Sequence, residues 1–128
     1  MNVPLALANA LLLLAFVAHA WMGDRELQLL RPDPKAPPAL EKWLQARAGW
    51  HLVSWDLLLA TIGVGLLTWT DVLAPRAVYL HLLVVYFVGA GGAWLLALVG
   101  TPSVSGRWWR LAQWALLWGI AGLIWWGS

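Results

Sequence analysis

Four apolar stretches, each long enough to cross a lipid bilayer, dominate this 128-residue chain and leave few ways to fold it. A helix needs about 20 mostly apolar residues to span ~30 Å of hydrocarbon, and residues 3–22, 50–70, 78–99 and 108–126 meet that requirement. Only 11% of the residues are charged and 62% are hydrophobic, against roughly 25% charged in an ordinary soluble domain. Nine of the fourteen Asp, Glu, Lys and Arg residues lie between Asp24 and Arg47, so little charge remains to cover a water-facing surface. The same composition excludes disorder, which requires low hydrophobicity and high charge. Outer-membrane barrel strands are excluded too, because no stretch alternates apolar and polar residues over ~10 positions. With no cysteine, the chain has no disulfides, thiolate metal sites or thiol chemistry. The sequence therefore predicts an all-α fold, an integral-membrane four-helix bundle forming one transmembrane domain over 1–128.

The connections fit this division. Pro75 lies in the turn over 71–77, and Pro102, Ser103 and Gly106 in the turn over 100–107. The first connection, 23–49, is longer. Its run Arg31-Pro32-Asp33-Pro34-Lys35-Ala36-Pro37-Pro38 cannot continue a helix, because proline lacks the N–H donor and clashes with the preceding turn. Beyond it, Leu40, Trp43, Leu44 and Arg47 recur at helical spacing. The expectation is a short amphipathic helix over 39–48, started by Pro38, lying in the headgroup layer and anchored by Trp43. Leu5–Val17 followed by Ala18-His19-Ala20 has the outline of a secretory leader, but Met1-Asn2 supplies no basic start, so this stretch reads as the first membrane helix.

Charge asymmetry orients the bundle. Arg25, Arg31, Lys35, Lys42, Arg47, Arg107 and Arg110 fall on one side and Arg76 alone on the other. By the positive-inside rule the long loop faces the cytoplasm of a bacterial inner membrane and both termini face outward. The net charge of +2 reads as topology and contact with membrane lipids. Nucleic acid is not an expected partner, since a phosphate-binding stripe needs far more Lys and Arg on one face. Trp is the commonest aromatic, with twelve copies. Trp21, Trp43, Trp50, Trp55, Trp108 and Trp109 cluster near the cytoplasmic boundary and Trp69, Trp125 and Trp126 near the outer one, as an aromatic belt would. Trp94, Trp114 and Trp118 lie deeper and are the candidates for lining a pocket.

Polar residues within a span need a partner or a purpose, since a central Asp or Arg costs about 2.5–3.5 kcal/mol on insertion scales. Asn9, Leu12, Phe16, His19 and Gly23 share one face of the first helix; His51, Ser54, Leu58, Thr61, Gly65 and Thr68 share one of the second. Asp56 points nearly opposite to that second seam and lies about 9 Å inside Trp50. Gln113 enters to a similar depth on the fourth helix, and Arg110 lies one turn nearer water. His19, His51, Ser54, Asp56, Arg110 and Gln113 are thus expected to form an intramembrane polar layer, with His81 outside it. Small residues at Gly89, Ala93 and Ala97 and at Ala115 and Gly119 permit close helix packing, within the monomer or across a homodimer or partner subunit.

Several functions could use such a layer. The plainest is an accessory or structural membrane component whose polar residues set helix register. A small dimeric transporter or proton-coupled carrier would use Asp56. Acid–base chemistry at lipids or quinones would need His19 with Asp24 or Glu26, or His51 with Asp56. Haem or a metal would need His19 and His51 as ligands, although no second ligand pair accompanies them and no cofactor is expected. On balance these residues stand against an enzyme, and no catalytic residue is assigned.

Three local features carry a resemblance. They are His19-Ala20-Trp21-Met22-Gly23-Asp24-Arg25-Glu26 leaving the first span, Trp50-His51 opening the second, and Gln113-Trp114 early in the fourth. Together they resemble a set of small, functionally uncharacterised bacterial four-span inner-membrane proteins. That set carries a proline before the Gln-Trp pair, where this chain has Ala112. The resemblance implies the four-span architecture and no particular activity.

Overall fold

The protein is described from a computed structural model covering residues 2–73, 75–100 and 107–128, with the side chains of Arg107 and Arg110 outside the description. Helix α1 runs Val3–Val17 and passes through a π-helical turn, Ala18–Gly23, into α2, Asp24–Leu29. Helix α3 is Pro37–Trp69, α4 is Arg76–Gly100, α5 is Arg107–Arg110 and α6 is Gln113–Gly127. No strand occurs among the described residues. Three helical segments, Val3–Leu29, Pro37–Trp69 and Arg76–Val99, are long and apolar enough to cross a membrane.

The helix ends follow local chemistry. Asn2 caps α1 by accepting the Leu5 N–H at 3.2 Å. In the proline-rich connection, Asp33 accepts the Lys35 N–H on its side chain at 2.8 Å and the Ala36 N–H on its carbonyl at 2.9 Å. Pro37 then opens α3, where its missing N–H costs nothing.

Two elements differ from the sequence expectation. The helix expected over 39–48 is present, but it is the first part of α3 and runs unbroken into residues 50–69. Gly49 is the one weak helix former at the junction, and its penalty of about 1 kcal/mol does not end a 33-residue helix. The fourth stretch, expected to be continuous, is interrupted between α5 and α6. Ala112 leaves helical geometry there, at φ −82° and ψ 20°. The indole N–H of Trp94 donates to the Leu111 carbonyl at the break, at 2.9 Å. A freed backbone acceptor thereby gains a partner, as an apolar surround requires.

The chain forms two compact units. One comprises Met1–Asn9 and Val64–Ser128. Its core includes Leu5, Ala8, Val64, Leu67, Leu80, Phe87, Leu98, Ile120, Ala121 and Ile124. Here α4 packs along α6, antiparallel because Trp94 meets Leu111 at one end and His81 meets Trp125 edge-on at the other. The second unit is Ala10–Gly63, a helical hairpin with Leu12, Ser54, Leu57 and Ala60 buried.

Candidate functional site

Several polar side chains of the hairpin unit gather where α1 passes into α2. In a π-helical turn the hydrogen-bond ladder slips by one residue. Trp50 exploits this turn by donating its indole N–H to the His19 carbonyl at 2.9 Å. The His19 ring lies flat on the same indole, with centroids 4.0 Å apart and planes 7° from parallel. Gly23 lies against the Trp50 ring from the next turn. Ser54, one turn further along α3, donates its hydroxyl proton to the Trp50 carbonyl at 3.2 Å. Its oxygen then accepts from His19 Nδ1, 3.0 Å away. A serine hydroxyl has one proton, so this arrangement selects the Nδ1–H tautomer and leaves the lone pair on Nε2.

A second cluster follows on α2. Asp24 receives Arg47 in a two-pronged bond, Nε to Oδ1 at 2.8 Å and Nη2 to Oδ2 at 3.0 Å. Gln28 donates to Oδ2 at 2.6 Å, one turn along the same helix. His51 Nε2 approaches Oδ1 at 3.2 Å. Such a forked guanidinium–carboxylate pair fixes direction as well as charge. Trp43 closes the far end by donating its indole N–H to the Leu27 carbonyl at 3.0 Å. The Arg31 and Arg47 guanidiniums lie over its ring, 5.7 and 5.6 Å from the centroid.

Of the residues singled out from the sequence, His19 and Ser54 are in direct contact. His51 is a neighbour of that pair but takes Asp24 as its carboxylate, where the sequence pairs it with Asp56 and pairs Asp24 with His19. Asp56 lies on the exposed side of α3. Gln113 belongs to the other unit, exposed at the start of α6. The Arg110 side chain lies outside the described residues. Arg47, Gln28, Trp50 and Gly23 complete the site and lie outside the polar layer that the sequence predicts. Asp24 and Gln28 carry a readable signal, four residues apart on one face. The π-turn that aligns Trp50 with His19 leaves no signature in composition or periodicity.

The deep tryptophans join α4 to α6. Trp118 donates to the Val88 carbonyl at 3.2 Å and lies against Gly91. Trp114 meets Trp118 edge-on at 5.8 Å, and its indole nitrogen has no hydrogen-bond partner among the described residues. The small residues Gly89, Ala93, Ala97, Ala115 and Gly119 are all exposed, so Gly91 is the glycine at which these two helices approach. His81 donates from Nδ1 to the Ala77 carbonyl at 2.6 Å.

Each imidazole of the hairpin is committed to a protein partner. Among the described residues no group of three or more His, Cys, Asp or Glu is arranged to hold a metal ion. Removing the Ser54 hydroxyl tests how tightly the site is bound together. Ser54→Ala should leave the half-buried His19 N–H without its acceptor, costing about 0.5–1.5 kcal/mol. Equilibrium unfolding of the protein in mild detergent, followed by helix content, measures this directly.

No protein-family model matches this chain, and neither a curated protein nor a solved structure matches it.

Proposed function

We propose that the chain is a multi-pass protein of the bacterial inner membrane that serves as an accessory or structural component. In this reading it crosses four times, with both termini outward and residues 23–49 in the cytoplasm. The observation that carries the functional part is that Asp24 and His19 are both engaged by other side chains of the hairpin. Asp24 is engaged by Arg47, Gln28 and His51, and His19 by Ser54 and Trp50. Side chains bonded to one another in this way lock two helices in register.

Three helical segments have the length and apolarity for crossings. The fourth crossing is α5 with α6, whose break is compensated by the Trp94–Leu111 bond. Helix α3, with 33 residues, is about 50 Å long and exceeds the ~40–45 Å of a whole bilayer. Its first residues, through 48, therefore occupy the headgroup layer as an extension of the second crossing.

The absence of cysteine makes topology simple to test. Ser128→Cys should react with a membrane-impermeant maleimide on intact spheroplasts, and Lys35→Cys only after permeabilisation. Labelling of both sites from one side would overturn the four-span arrangement. The functional half is tested with Asp56→Asn in proteoliposomes. If that variant inserts and assembles normally but abolishes a proton or solute flux carried by the unmodified chain, the protein is a carrier and the accessory reading fails.

A further inference from the structure

Resting on this membrane reading, we propose that Trp21 and Arg25 together bind the phosphate of an anionic phospholipid in the leaflet facing residues 23–49. The Arg25 guanidinium lies over the Trp21 ring, 4.6 Å from its centroid. Held over a ring and not against a carboxylate, the guanidinium keeps N–H groups for the forked pairing that matches two oxygens of a phosphate. The neighbouring Arg47 has committed that edge to Asp24. Arg25 has no carboxylate partner among the described residues. Trp21 is 60% exposed, and its indole N–H makes no hydrogen bond among the described residues. Two unsatisfied donor groups thus lie side by side on an open surface.

Depth makes the match specific. Tryptophan collects at the boundary between hydrocarbon and headgroups, and Arg25 is one turn beyond Trp21, about 6 Å along the axis. Because the guanidinium lies back over the Trp21 ring, it stands where the ~5–7 Å headgroup layer begins, within reach of the lipid phosphates. On the hydrocarbon side, Met22, Val17 and Leu14 are exposed apolar side chains. They give an acyl chain a surface to lie along, which inorganic phosphate would not use.

The full-length protein in mild detergent supplies the test, with bound lipid counted by native mass spectrometry. Phosphatidylglycerol should bind about fivefold more tightly than phosphatidylcholine, the factor expected from one basic side chain at an anionic surface. Arg25→Ala should erase that preference, Arg25→Lys should keep part of it, and Lys35→Ala should leave it unchanged. Arg25→Ala with the preference intact would overturn the proposal. So would displacement of phosphatidylglycerol by inorganic phosphate, which would mark a site for free anions. If Arg25→Ala loses helix content, Arg25→Lys decides: a preference equal to that of the unmodified chain then refutes a role for the guanidinium fork. Failure of the membrane reading is separately visible as a protein that stays monodisperse without detergent and ignores vesicles of either lipid.

Discussion

Gly23→Ala is expected to destabilise the helical hairpin by about 1–3 kcal/mol, the usual cost of forcing a methyl group into a filled site. The backbone is not the reason, because Gly23 has ordinary helical angles of φ −67° and ψ −36°. The reason is the Trp50 indole, whose Cε2 lies 2.8 Å from where a Cβ would stand and whose Cζ2 lies closer still. That ring cannot yield cheaply. It is held by its bond to the His19 carbonyl and by the flat contact with the His19 ring. Moving it forfeits both. Unfolding in a denaturing-detergent titration, read by circular dichroism, gives the size of the loss. The mechanism is checked by repeating the substitution in a Trp50→Phe background, where the smaller ring should make alanine far less costly. An equal cost in both backgrounds would refute the clash.

The second large effect is expected at Gly91, where α4 meets α6. A Cβ there would overlap Trp118 and stand 3.3 Å from the Trp114 carbonyl. Gly91→Ala should therefore weaken the α4–α6 pair by about 1–3 kcal/mol. Gly89, Gly92, Gly119 and Gly122 provide the control, since nothing lies within 4 Å of a Cβ at any of them. Alanine at these positions should be neutral or stabilising by up to ~0.5–1 kcal/mol, because it restricts the unfolded chain more than glycine does. Five glycines of similar helical context should thus split in sign. If Gly91 behaves like the other four, the close approach of the two helices is not as described.

The contrast among these glycines shows how far the sequence can be read. Repetition of small residues at four-residue spacing pointed to Gly89, Ala93 and Ala97, and to Ala115 and Gly119, yet all five are exposed. Spacing identifies residues that share a face, but it does not reveal which face meets a neighbour. The polar residues repeat the lesson. Helical periodicity placed His19 and Ser54 on inward-facing seams, and they meet. It paired His51 with Asp56 and His19 with Asp24 or Glu26, whereas the contact formed is His51 with Asp24, which depends on how α2 lies beside α3. Thr61 and Thr68 show the opposite case. Their hydroxyls bond back to the Leu57 and Val64 carbonyls at 2.7 and 2.6 Å, contacts local to one helix and readable from residue type.

Apolar content and proline placement were enough to establish that the chain is helical and rich in segments able to cross a membrane, because each residue's affinity for oil or water and each proline's missing donor act locally. Proline placement also marked 31–38 as unable to continue a helix and Pro38 as a restart, but the first helical segment, read as ending at 22, runs on to Leu29. Which indole covers which glycine, which cation takes Asp24, and where the fourth stretch breaks all depend on the rotation and axial offset of one helix against another. Those two quantities are set by many side chains packing at once. A slip of one residue, such as the π-turn at Ala18–Gly23, changes them without changing any pattern in the sequence.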